Sequence, residues 1–376
     1  MKKDIIRATF TLVGFIVGAG VLSLPYVIAK SGFIIGITEI ILIGIATLTL
    51  NLYLGEVVLK TKGIHQLTGY AKIYLGSIGR TVMSLCMISG MYGALIAYLI
   101  KESEFLSLLF NLPRFPALII FFTIMSIIVY SNLKFIEESE FVMVSLLLII
   151  LTIMFILSFP SINLNSLSTI NLSKIHLPYG VILFAFLGFA AIPELREELG
   201  RDKKLLKKAI IVGSSIPIFI YILFVLTVIS ISKEVTDGAL IGLAKILPHI
   251  FFLALSFGIL TIATSFIAVA LALRELYYYD FKLPKLIAST LTCSIPFIIT
   301  LLILNTRIGN PFYRILDISG SITGSLTGIL IILIFLNAKK HYQRRPEYTI
   351  KHNKFISYLL LGMFILGLIQ EFIFSS

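Results

Sequence analysis

The chain has only two cysteines in 376 residues, and both, Cys86 and Cys293, fall inside long apolar runs. That excludes a disulfide framework and a CxxC metal or redox site, and leaves both thiols as small buried hydrophobes. Charge is scarce as well: 13% of residues are Asp, Glu, Lys or Arg, against 58% hydrophobic and a mean hydropathy of +1.02. So apolar a composition excludes a soluble protein and describes one that crosses the membrane many times. Catalytic signatures are missing too, with no HExxH, Walker A loop, GxSxG elbow or Asp-rich diphosphate motif. The histidines, at positions 65, 176, 249, 341 and 352, are scattered near loops and helix ends rather than spaced as metal ligands. An enzyme is therefore not expected.

What is present is a succession of apolar runs near the roughly 20 residues needed to cross a bilayer. They predict eleven spans, at about 8 to 29, 33 to 58, 81 to 100, 115 to 132, 140 to 158, 179 to 198, 209 to 231, 247 to 273, 286 to 304, 315 to 337 and 354 to 373. The start, "MKKDIIR" and the run after it, is too long for a signal peptide and is read as span 1. The net charge of +12 is concentrated in short loops, where it orients a membrane protein rather than attracting nucleic acid. The richest basic segments, "LREELGRDKKLLKK" and "NAKKHYQRRPEYTIKHNK", fall on one side of an eleven-span topology. The positive-inside rule makes that side cytoplasmic, with the N-terminus inside and the C-terminus outside. No soluble domain, low-complexity tract or long linker is visible, so residues 1–376 form one transmembrane unit.

Helix breakers stand at two matching places. Span 1 carries "VGAGVLSLP" and span 6 carries "FLGFAAIPEL", each a cluster of small residues followed by proline. The two spans are fifth neighbours, so spans 1 to 5 (8–158) and spans 6 to 10 (179–337) would form an inverted repeat, with span 11 (354–373) as an accessory. Non-helical backbone at membrane depth is tolerated only where protein buries it or it lines a water-filled cavity. A break near Gly18, Ala19 and Gly20 frees amides of one half-helix and carbonyls of the other, an anion site beside a cation site. Span 6 offers a second pair near Gly188 to Ala191, and a zwitterion such as an amino acid needs both signs close together. The competing reading of the same glycines is close helix packing, with Gly14 and Gly18 as a GxxxG pair and Pro25 as an ordinary kink.

"GFIVGAGVLSLPYVIAKSG" resembles the first helix of the amino acid, polyamine and organocation transporter superfamily, most closely the hydroxy and aromatic amino acid permeases. "LFAFLGFAAIPELREELGRDKKLLKKAI" resembles its sixth helix and the loop after it, and the likeness covers nearly the whole chain. The resemblance implies a leucine-transporter-type fold, all-α, with substrate held between broken helices 1 and 6 and walls from helices 3, 8 and 10. Carried over by position, the substrate carboxylate meets the backbone near Gly18, Ala19, Gly20 and Val21, and the amino group meets carbonyls near Phe186, Leu187 and Gly188. Tyr92 in "SGMYGAL" lies about 18 Å of helix rise beyond Arg80, near the midplane. It is a candidate donor to substrate, or equally a packing residue with its hydroxyl on a neighbouring backbone.

The resemblance also implies a sodium site, with ligands matching the Gly14 and Val17 carbonyls and oxygens of Thr261, Thr264 and Ser265 on one face of helix 8. Depth agrees, because Gly14 above Arg7 and Ser265 above Arg274 come within a helical turn of one another. The bland alternative is that these hydroxyls bond their own helix. A proton is the competing coupling ion, although helix 5 lacks the lysine that some superfamily members place at the sodium position. Ionisable groups at membrane depth are functional suspects, and Glu39 and Glu194 are the two considered. Glu56 beside Lys60 reads as an inner-surface ion pair, and Glu137, Glu138 and Glu140 as a solvent-facing loop. The expected protein is a plasma-membrane secondary transporter that imports a neutral, possibly aromatic, amino acid with sodium and uses no cofactor. A proton-coupled carrier and a non-transporting amino acid sensor on the same fold are the alternatives.

Overall fold

The computed structural model describes residues 2–131, 134–163, 167–231, 235, 239–240, 250–306, 310–341, 343–351 and 353–374. Every long element among them is helical, as lipid requires of a chain that must satisfy its backbone internally. Span 1 is α1 (Lys2–Ile16) and α2 (Gly20–Ser31), which meet at 52°. Then come α3 (Phe33–Lys60), α4 (Leu67–Phe110), α5 (Arg114–Tyr130) and α6 (Lys134–Ser158). Span 6 is again two pieces, α7 (Leu177–Ala185) and α8 (Ala191–Glu198). It is followed by α9 (Leu206–Ile231), α10 (Phe251–Glu275), α11 (Lys285–Leu304), α12 (Pro311–Lys340) and α13 (Lys354–Phe374). Eight helices are long and apolar enough to cross a membrane and the bent α1–α2 pair makes a ninth. With α5 and the broken α7–α8 at the remaining expected positions, this is consistent with eleven spans.

Hydrogen bonds between loops sort as that count requires. On one side Arg196 donates to Gly63 O (2.9 Å), Arg80 to Asp280 O (2.8 Å), and the Gln343 and Arg344 amides to Lys60 O (3.1 Å each). On the other side the Asn171 amide donates to Ser31 O at 2.9 Å, and Gln370 near the end of α13 donates to His176 O before α7. Among the described residues the two groups join different loops, so helix order and contacts agree.

Some boundaries differ from the sequence reading. The third helix starts at Leu67, bends at Gly76 (φ 75°), and runs on to Phe110. Lys101, expected in a loop, is therefore inside a helix and buried, its ammonium paired with Glu104 at 2.8 Å. The run containing Glu137, Glu138 and Glu140 is the start of α6 rather than a loop, and those side chains lie outside the described part. Residues 247–249, the expected start of span 8, also lie outside it, and α10 begins at Phe251.

The Glu56 pair is larger than expected. Its carboxylate is fully buried and meets Lys60 (2.8 Å), Lys339 (2.7 Å) and the Ile350 amide (2.6 Å), fastening α3 to α12 and to the segment after α12. Tyr348 covers this cluster, and burial, with the Glu56 carboxylate beside it, pushes its hydroxyl well above the ordinary range. The glycines of α12 serve close packing: a Cβ on Gly324 would meet Leu183 and Leu187 (3.2 Å each), and one on Gly328 would meet Phe364 (3.1 Å). The helix relaxes into a π turn at Ser319–Gly324 where it crosses α7.

Candidate functional site

Both glycine-rich segments leave helical geometry, and they do so against each other. Residues 17–19 separate α1 from α2, and 186–190 separate α7 from α8. A Cβ on Gly20 would stand 2.7 Å from Ala185 Cα, and one on Gly188 would stand 2.6 Å from an Ile16 side-chain carbon. Only glycine at both crossings lets the two breaks touch. After the first break backbone bonding resumes with the Val21 amide on Gly18 O (3.1 Å), and after the second with the Ala191 amide on Gly188 O (3.2 Å). Among the described residues no backbone carbonyl accepts from the amides of Ala19, Gly20, Phe189 or Ala190. These are the orphan donors at the starts of α2 and α8, and they provide partial positive charge at mid-membrane.

A small cavity of about 70 Å³ lies beside these breaks, tighter than an open small-molecule site. Gly18, Gly20, Ala185 and Leu187 come from the breaks, and Met87, Met91, Ala94 and Tyr98 come from one stripe of α4. Phe15, Phe184, Phe189 and Val269 make the remaining wall mostly apolar, with Thr323 and Thr327 of α12 as polar exceptions.

Next to the cavity is an oxygen cluster. The Ser265 hydroxyl lies 3.2 Å from Gly14 O and 3.3 Å from Val17 O, and it is fully buried. The Tyr98 hydroxyl reaches the same point, so a Cβ on Gly18 would stand 2.6 Å from Ser265 Oγ and 3.0 Å from Tyr98 Oη. Gly14, Val17 and Ser265 are thus brought together. The Thr261 and Thr264 hydroxyls are not: Thr261 donates to Phe257 O (2.6 Å) and Thr264 is within 3.0 Å of both Leu260 O and Thr261 O. Both threonines turn to their own helix, as buried threonines do when no other acceptor is nearer. The donor set of two carbonyls and a hydroxyl is of the kind a hard cation takes.

Several expected site residues are placed elsewhere. Tyr92 does not line the cavity; its hydroxyl lies 2.9 Å from Tyr277 Oη and donates to Leu291 O at 3.2 Å. The reason is rotation: Met91, Ala94 and Tyr98 share one face at helical spacing, and position 92 is about 100° around from 91. Phe186 points away from the cavity and packs its ring 4.9 Å from that of Tyr221. Gly188 is also a contact with α1, and the side chains of Ala19 and Val21 are fully buried outside the lining, while the backbone groups expected to meet substrate at these positions stay at the breaks. Glu194 sits half-buried in the first turn of α8, outside the lining. Glu39 is in α3, one of its oxygens buried without a hydrogen-bond partner. Tyr98 was missed, although the stripe of Met87, Met91, Ala94 and Tyr98 marks it. Tyr221, missed as well, has no signal in the sequence.

Comparison with known proteins bears on the fold and the family. The chain is similar to Tyrosine-specific transport system 1 of Haemophilus influenzae, 27% identical over 301 residues and 73% of each chain. It is also similar to Glutamine transporter 2 of Aliivibrio fischeri, 22% identical over 289 residues, 73% of this chain and 74% of that one. The crystal structure of MhsT in complex with L-phenylalanine superposes with a TM-score of 0.72 over 98% of this chain and 97% of that one, at 16% identity. It therefore shares the fold, which is of the leucine-transporter type. Residues 1–371 match the model of the tryptophan/tyrosine permease family, and the chain belongs to that family of multi-pass membrane amino acid transporters.

Proposed function

We propose that this transporter imports a neutral amino acid with an apolar or aromatic side chain across the plasma membrane by alternating access, coupled to sodium. The observation that carries the reading is the meeting of the two breaks at one apolar cavity. Free amides of α2 and α8 suit a carboxylate, and unwound carbonyls suit an ammonium. The lining from Phe15, Phe184 and Phe189 suits an uncharged side chain and gives a charged one no partner.

Sodium would be held by Gly14 O, Val17 O and Ser265 Oγ, with Thr264 turning its hydroxyl inward. The ion would supply the positive charge that draws the end of α1 onto α10. Because α2 begins just beyond these carbonyls, ordering them also orders the substrate amides, and the linkage is reciprocal. A second reading, proton coupling, is favoured by Glu102 of α4, which is fully buried with neither oxygen hydrogen-bonded. The discriminating experiment is a thermal-shift screen of the purified protein against the twenty amino acids with and without sodium, followed by proteoliposome uptake. Saturable, competable uptake that needs sodium and is indifferent to a pH gradient supports the proposal. Uptake driven by a pH gradient without sodium moves the coupling to Glu102, and binding without flux refutes transport.

A further inference from the structure

Tyr221 of α9 is fully buried, and its hydroxyl faces a main-chain carbonyl from each break: Ile16 O at 2.9 Å and Ala185 O at 2.6 Å. These are the last residues of α1 and α7. The two half-helices approach the midplane from opposite sides, because five crossings separate spans 1 and 6. Terminal carbonyls are the acceptors a helix cannot satisfy by itself, and inside a membrane they have no water to turn to.

A phenol has one O–H, so a single proton serves two acceptors. The acceptors are not equivalent. Ile16 O also receives the Gly18 amide at 2.9 Å, whereas among the described residues Tyr221 is the donor to Ala185 O. The bond to Ile16 is therefore the one that can be released without orphaning a carbonyl. Ile16 and Ala185 both line the cavity, while Tyr221 approaches them from behind it. Opening the cavity by moving α1 away from α7 must break one of the two bonds.

Resting on the transport reading above, we propose that Tyr221 is a positioning residue that latches the two breaks together. Its hydroxyl holds the ends of α1 and α7 in contact and keeps the cavity closed in the absence of substrate. The aromatic ring, 4.9 Å from Phe186, sets the height of the hydroxyl, and the hydroxyl does the holding.

Cys86 lines the cavity and is one of only two cysteines, so it reports closure directly. In full-length protein carrying Cys293→Ser in proteoliposomes, the rate of Cys86 modification by 2-aminoethyl methanethiosulfonate is measured with and without an equimolar mixture of the twenty amino acids. Adding Tyr221→Phe should raise the amino-acid-free rate about three- to tenfold, the worth of one net hydrogen bond, with the melting temperature little changed. Encoding p-aminophenylalanine at 221 supplies two N–H donors, one for each carbonyl, and should return the rate to the parent value or below. A Tyr221→Phe rate within twofold of the parent overturns the latch. If the Phe variant does not fold, a p-aminophenylalanine rate above the parent overturns it instead. Failure of the amino acids to protect Cys86 in the parent refutes the binding site of the transport reading, while the ligand-free rates still judge the latch.

Discussion

Gly18→Ala tests the site at its tightest point. The added Cβ would stand 2.6 Å from Ser265 Oγ, 2.9 Å from Ser265 Cβ and 3.0 Å from Tyr98 Oη. The two hydroxyls can swing aside, but Ser265 Cβ is fixed to the backbone of α10, so α10 and the break must separate. Overpacking of this kind costs about 1–3 kcal/mol. Swinging Ser265 away also takes its oxygen off Gly14 O and Val17 O, where the proposed sodium is held. If substrate binding requires the closed arrangement, the same penalty appears as about a 5- to 150-fold loss of affinity. The assay is the sodium concentration for half-maximal uptake in proteoliposomes, with the substrate dissociation constant on purified protein. Gly18→Ala should weaken both by at least about fivefold on this scale. Combined with Ser265→Ala it should be less than additive, because both changes act on one oxygen. Sodium activation and substrate affinity within twofold of wild type would refute the reasoning.

Other predictions follow from the same geometry. Ser265→Ala should impair sodium-dependent uptake more than Thr264→Ala, since only Ser265 already meets the α1 carbonyls, and the double variant should abolish it; sodium titrations of uptake check this. Tyr98→Phe should raise the substrate KM several-fold, whereas Tyr92→Phe, whose hydroxyl serves Tyr277 and Leu291, should leave KM unchanged and cost about 1 kcal/mol of stability. Glu56→Gln leaves Lys60 and Lys339 without their carboxylate and should destabilise the protein by about 3–5 kcal/mol, seen as a lower melting temperature with no sodium dependence.

The membrane class, the order of helices and both breaks were legible in the sequence because each has a local cause. A run of apolar residues meets lipid wherever it packs, and glycines close to a proline lower the local cost of interrupting a helix, although the same pattern ahead of Pro217 stays helical in α9. The resemblance carried the likeness to transporters further and pointed at Gly14, Val17 and Ser265, which do converge. It also pointed at Tyr92, whose hydroxyl turns to Tyr277 and Leu291 instead. One residue along a helix is about 100° of rotation, so an assignment by position can be right in depth and wrong in direction.

By itself, then, the sequence determined an all-helical membrane protein with interruptions in spans 1 and 6, since those features arise from hydropathy and backbone chemistry within a few residues. Tertiary structure alone decided that Tyr98 rather than Tyr92 faces the cavity, that Ser265 bonds across to α1 while Thr261 and Thr264 bond at home, and that Tyr221 joins the two breaks. Each of these depends on how neighbouring helices are rotated and crossed, and contacts between residues as far apart as Ile16, Ala185 and Tyr221 leave no pattern along the chain.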